Sequence, residues 1–250
     1  MIITILAVII FIIAAIHLFY KYIKRRISAR KLNKDFFESG KYDGIKNAIV
    51  GDIVKIGEYK PQNEIQPIEW IVLKKINGRI TLISKNVLTE HLYDRGDYHV
   101  DWMSCDLRQY MNNKINTSDD FFSFLETEEA ANKGFVLDFF SPEERFLPSK
   151  DSCVKGSSDT ILCPSTEDAF YILSRDEIEK YMEIPAFKDS CMNESVDNCC
   201  NAFWVRSKEA NKYMIYSIKD KMFVEQDKCN AVFGIRAVFE IYIDGAQFKA

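Results

Sequence analysis

Residues 68–88 read IEWIVLKKINGRITLISKNVL, two β-branched apolar runs on either side of Asn77-Gly78. Asn followed by Gly tolerates the positive φ angles of a two-residue hairpin turn, so the stretch predicts two antiparallel strands closing on that dipeptide. Before it, DIVKIGEY (52–59) alternates Val54 and Ile56 against Ile53, Lys55 and Gly57, the period of a strand. After it, SCDLRQYMNN (104–113) places Leu107, Tyr110 and Met111 at i, i+3 and i+4 on one helical face. SDDFFSFLETEEAANK predicts a second helix. SPEERF (141–146) offers Ser141 as N-cap, Pro142 at the first helical position and Glu144 three after the cap, a short helix start.

In AFYILSRDEIEKYM (169–182) an apolar strand runs into Ser174 and Glu177, a capping box that opens a helix with Ile178, Tyr181 and Met182 facing inward. Residues 185–230 read as loop-rich, with FWVRS, YMIYSI and KMFVEQ as short strands, and FGIRAVFEIYI (233–243) as the final strand. There is no internal repeat and no Gly/Ser linker. The order predicts one α+β domain over 49–250, built on a mixed sheet with hairpins and two or more helices.

The remainder of the chain is of a different kind. The first twenty residues, MIITILAVIIFIIAAIHLFY, carry no charge, and as a helix they would span ~30 Å, the thickness of a bilayer's hydrocarbon. A signal peptide would have positive charge before a shorter apolar run and a small-residue cleavage site after it, and none of these is present. Residues 1–22 are therefore expected to form one transmembrane helix in contact with membrane lipid. Residues 23–48 are expected to form a basic juxtamembrane segment and connecting helix. Lys21, Lys24, Arg25, Arg26, Arg30, Lys31 and Lys34 all follow the apolar run, which favours a single-pass protein of the cell membrane with a cytoplasmic domain.

Those seven cations account for the modest net charge of -4; the other 26 of the 33 basic residues face 37 acids. So acidic a domain lacks the basic face that would neutralise phosphates, and nucleic acid is not an expected partner. A cytosolic domain would keep its seven cysteines as thiols, whereas an exported one could pair some of the last five.

Candidate chemistry is sparse. Cys199 and Cys200 are adjacent, with Cys191 eight residues upstream, whereas zinc pairs favour two to four intervening residues. Adjacent strand residues also point to opposite faces. His91 and His99, with Asp94, Asp97 and Asp101, could hold a cation or a catalytic pair, but their spacing matches neither a zinc pair on one helical turn nor a calcium loop, and a polar loop explains them. Glycine-rich phosphate loops and the Gly-x-Ser-x-Gly elbow are absent. Trp70, Trp102 and Trp204 sit beside apolar residues and are assigned to the core. Arg206 and Arg236 lie in apolar strands, where a buried guanidinium must be paired, so they are expected to hold loops through carboxylates or backbone carbonyls.

The order of GDIVKIGEY, PIEWIVLKKINGRITLISKNVL, WMSCDLRQYMNN, DAFYILSRDEIEKY, FWVRS and GIRAVFEI resembles the bacterial domain of unknown function 6273 over about residues 50–243. The matching positions are Gly51, Asp52, Trp70, Leu73, Leu107, Arg108, Leu173, Ser174, Glu177, Trp204, Arg206, Ser207 and Arg236. More distantly, FWVRS followed by GIRAVFEI is similar to the end of C-type-lectin-like domains, including relatives of the formylglycine-generating enzyme. That similarity implies a compact α+β fold whose first and last strands pair and whose long loop region meets ligands. The lectin calcium triads and the oxidase-type cysteine pair are missing.

The expected function is a membrane-anchored, non-catalytic binding or interaction module for a protein or glycan, without metal or cofactor. Trp204, Arg206, Tyr213 and Arg236 are the candidate ligand contacts. The alternative is a membrane-bound enzyme using its thiols or the His91 to Asp101 cluster, with or without a metal.

Overall fold

A computed structural model of the chain describes residues 43–59, 65–96, 100–112, 134–141, 144–148, 152–154, 166–192, 200–209 and 212–243. The expected membrane helix over 1–22, residues 23–42 of the basic and connecting segment expected over 23–48, and the helix expected in SDDFFSFLETEEAANK lie outside these residues. Among the described residues, no helix is long and apolar enough to cross a membrane.

A short helix α1 (Asp43–Asn47) leads into β1 (Ile53–Tyr59), β2 (Gln66–Ile76) and β3 (Arg79–Ser84). The predicted hairpin forms with Ile76 opposite Arg79, and Asn77 and Gly78 take φ angles of 51° and 71° at its tip. β4 (Thr89–Leu92), α2 (Asp106–Asn112) and α3 (Phe135–Phe139) follow. Next come β5 (Ser152–Val154), β6 (Thr166–Asp168), β7 (Phe170–Tyr171), α4 (Arg175–Tyr181) and α5 (Pro185–Met192). The chain then runs through β8 (Ala202–Glu209), β9 (Lys212–Ser217), β10 (Met222–Gln226), β11 (Val232–Ile235) and β12 (Val238–Tyr242).

The strands make two five-stranded sheets, ordered β1-β2-β3-β12-β7 and β10-β9-β8-β11-β4, with β5 and β6 pairing separately. The α+β class holds, but two sheets replace the hairpin-rich sheet expected from sequence. FGIRAVFEIYI is the reason. It is two strands, not one, and the chain crosses from the second sheet to the first at Arg236 and Ala237, both buried. A strand that changes sheets is covered on both sides, so its apolar run gives no sign of the break. The last strand lies between β3 and β7, not against β1, which differs from the terminal pairing implied by the lectin-like resemblance.

Two further expectations change. Within 185–230, Pro185–Met192 is a helix with Phe187 and Cys191 buried. Of SPEERF, Pro142 and Glu143 lie outside the described residues, Glu144–Phe146 form a 3-10 turn where a helix is expected, and the Ser141 N–H donates to the Glu144 carboxylate at 3.0 Å.

The core of the first sheet is aromatic. Trp70 meets Phe239 edge-on at 4.6 Å between centroids, Phe140 and Phe170 complete the group, and Phe135 of α3 meets Phe170 edge-on at 5.1 Å. The Trp70 indole N–H donates to the Ile56 carbonyl at 2.7 Å, so the ring is buried with its one polar atom satisfied. Trp102 and Trp204 are buried too, as expected.

Candidate functional site

The segment from His91 to Asp106 joins β4 to α2 and is held from beneath by the second sheet. Trp204, on β8, donates its indole N–H to the His91 carbonyl at 2.7 Å, its ring packed between Tyr93 and Phe233. The Tyr213 hydroxyl, on β9, accepts the Val100 N–H at 2.9 Å. The Cys229 carbonyl accepts the N–H groups of Tyr93 and Asp94, and its thiol donates to the Gly96 carbonyl. On the other flank, the Trp102 indole N–H and the Arg108 guanidinium donate to opposite oxygens of the buried Asp168 carboxylate at 2.8 and 2.6 Å. Thr166 adds a hydroxyl to the same carboxylate at 2.6 Å. A loop fastened at so many buried points loses little further entropy when it meets a ligand.

Arg206 and Arg236 do the same for other connections. Arg206 donates to the Ile172 carbonyl at 3.1 Å and to the Glu177 carboxylate at 2.7 Å, while its own N–H reaches the Leu173 carbonyl. That ties β8 to the start of α4, where Ser174 and Glu177 form the predicted capping box. Glu177 thus accepts from both Ser174 N–H and Arg206. Arg236, at the crossing between sheets, donates to the Ser84 carbonyl, to Ser190 and to the Cys191 sulfur, and its guanidinium lies between the rings of Phe187 and Phe203. The expectation that both arginines hold loops is met.

Trp204, Arg206, Tyr213 and Arg236 are each 1–2% exposed. All four lie beneath the surface, and they position segments that reach solvent at Arg95 and Met103. Among the other motif residues, Gly51 donates its N–H to the Val72 carbonyl and the Asp52 carboxylate accepts the Ile49 N–H, fixing the turn into β1. Leu73 and Leu107 are core residues, and Leu107 also donates its N–H to the Tyr93 carbonyl.

On the solvent side of the pinned loop, Arg95 donates its backbone N–H and its guanidinium Nε to one oxygen of Asp106 at 2.9 and 3.0 Å. Asp94 stands beside Asp106. Burial and the neighbouring Asp106 charge push the Asp94 carboxyl up, whereas the Arg95 contacts outweigh burial and hold Asp106 below its usual range. Asp101 caps the turn before α2, accepting from the N–H and hydroxyl of Ser104. His91 stacks on Tyr110 at 4.5 Å, with Nδ1 against the Leu92 carbonyl. Asp97, His99, Cys163 and Cys199 lie outside the described residues.

Cys105, Cys191, Cys200 and Cys229 are free thiols. Burial pushes Cys105 up to about 12, and it raises Cys191 despite the adjacent Arg236 guanidinium. Neither is ionised near neutrality, so neither is an activated nucleophile. Among the described residues, no three His, Cys, Asp or Glu side chains converge to hold a metal ion.

Sequence reading missed Asp168 and Asn112. The Asn112 side chain accepts the N–H groups of Ala169 and Phe170 and donates to the Phe170 carbonyl, fastening α2 to β7. Nothing in the sequence picks out Asp168 as the partner of Arg108, 60 residues away.

Buried Trp, Tyr and Arg side chains under exposed connections define an α+β scaffold with a loop-borne surface. The chain belongs to the family described as a domain of unknown function (DUF6273), whose model matches residues 77–243. The match begins inside the hairpin turn, yet β1 and β2 complete the same sheet. No curated protein and no solved structure matches the chain.

Proposed function

We propose that this is a single-pass, membrane-anchored, non-catalytic binding module with an α+β soluble domain, which meets a protein or glycan ligand through residues 91–96 and 100–106. The observation that carries the reading is the fastening of that segment by Trp204, Tyr213 and Cys229 below and by Asp168 at its flank, while Arg95 and Met103 stay exposed. Rigid backing under an exposed loop is the arrangement in which recognition is preorganised. The anchor rests on the uncharged run at 1–20, and the cytoplasmic placement on the seven cations after it.

A second reading, a membrane-bound enzyme, draws on one observation: neighbouring Asp94 and Asp106 are pushed in opposite directions, as in an acid and base pair. The full chain in lipid nanodiscs, screened on glycan and peptide arrays and against a hydrolase substrate panel, separates the two. Binding lost in Arg95→Ala but retained in Cys200→Ala supports the module. Turnover abolished by Asp94→Asn overturns it in favour of the enzyme.

A further inference from the structure

Three of the eight exposed large apolar side chains among the described residues lie within five residues of one another. Ile49, Val50 and Ile53 are 65, 48 and 45% exposed. They sit on the turn between α1 and β1, where the Asp52 carboxylate takes the Ile49 N–H and Gly51 donates to the Val72 carbonyl. The turn is thereby fixed against β2, and Lys75 of β2 reinforces it by donating to the carbonyls of Lys46 and Ala48. A groove of about 410 Å³, lined in part by Ile45, Ala48, Ile53 and Val54, opens alongside. These three side chains therefore sit on a structured edge and do not belong to a floppy tail.

Lys46 and Lys74 stand near this edge against Asp43 and Asp52, whose carboxylate is turned back to its own loop, while Lys55 pairs with Glu69 at 3.8 Å. Lysines interleaved with exposed aliphatic side chains suit the boundary between lipid headgroups and acyl chains. Chain length points to the same partner. Only about 20 residues separate the end of the apolar run from Asp43, a reach of at most ~70 Å when extended and ~30 Å as a helix. α1 is also the first described element after that tether.

We infer that the edge formed by Ile49, Val50 and Ile53 lies against the phospholipid surface of the membrane that holds the protein. This rests on the anchoring proposed above. The docked edge fixes the domain's orientation and leaves the β10 edge, at the far end of the other sheet order, in water.

The test uses the full chain reconstituted in phosphatidylcholine vesicles with and without brominated phosphatidylcholine. Val50→Trp and Ile49→Trp report on the edge, and Met222→Trp, on β10 and 55% exposed, is the reference. Trp70, Trp102 and Trp204 are buried, so their emission is subtracted from the wild-type signal. Brominated lipid should quench the added emission at 49 and 50 at least twofold more than at 222. Equal quenching in a chain that resists extraction by alkaline carbonate overturns the docking alone. Release of the chain by carbonate overturns the anchor, and the docking with it.

Discussion

At Tyr213 a single hydroxyl holds the middle of a loop more than a hundred residues away, by accepting the Val100 N–H. Tyr213→Phe keeps the ring and its packing against Tyr93 and Trp204 while removing that acceptor. The expected loss is about 1 kcal/mol. It should appear as roughly fivefold faster hydrogen exchange at Val100, with the amides of β3 unchanged; equal exchange in both proteins would show that the bond does not restrain the loop. Arg206 and Arg236 teach a related lesson at the same scale. Their apolar strand contexts already demand partners, so a loop-holding role is legible in sequence. The partners are not. Glu177 for Arg206 and the Ser84 carbonyl for Arg236 come from elements brought together only by folding.

Among the elements, those with local chemistry are legible. The Asn77-Gly78 hairpin and the Ser174/Glu177 capping box are each written within four residues, and both appear as expected. α5 carried a comparable signal, with Pro185 at its first position and Phe187 and Cys191 four apart on its buried side, but the surrounding short strands masked it. β1 shows what a local reading omits. Its register shifts between Lys55 and Glu58, and Gly57 sits there at φ 75°. A Cβ on Gly57 would lie 2.5 Å from the Phe139 carbonyl oxygen of α3. Gly57→Ala therefore combines a left-handed backbone with a clash against main chain, and should lower stability by at least about 2 kcal/mol. Ser174→Ala, which removes only a cap, should cost about 1 kcal/mol. Urea titration of the full chain in detergent ranks the two; a milder effect at Gly57 would mean that α3 can shift to make room.

Over the whole molecule, burial of titratable groups sets the alkaline limit. Burial raises the Cys105 thiol from its usual 9.0 to about 12, and it raises Tyr181, Tyr213 and Tyr216 from 10.0 to about 12. Between those values the folded chain keeps protons that the unfolded chain has released, so the folded state binds more of them and stability falls as pH rises. The contribution is fully present below pH 9 and is lost between about 9 and 12. The thermal midpoint should drop steeply across that window and more gently in Cys105→Ala. A midpoint flat to pH 12 would mean that these groups are open to solvent.

The sequence by itself determined the uncharged run and its basic flank, the hairpin, the capping box, the α+β class and the motif order that carries the family. Each depends on residues near one another in the chain or on composition. Tertiary structure alone decided that the last apolar stretch divides between two sheets, that Asp168 and Asn112 fasten α2, and that Trp204, Arg206, Tyr213 and Arg236 stand beneath the surface they position. The physical reason is that burial on both faces erases periodicity, and that a buried polar group announces its need for a partner without saying where that partner lies.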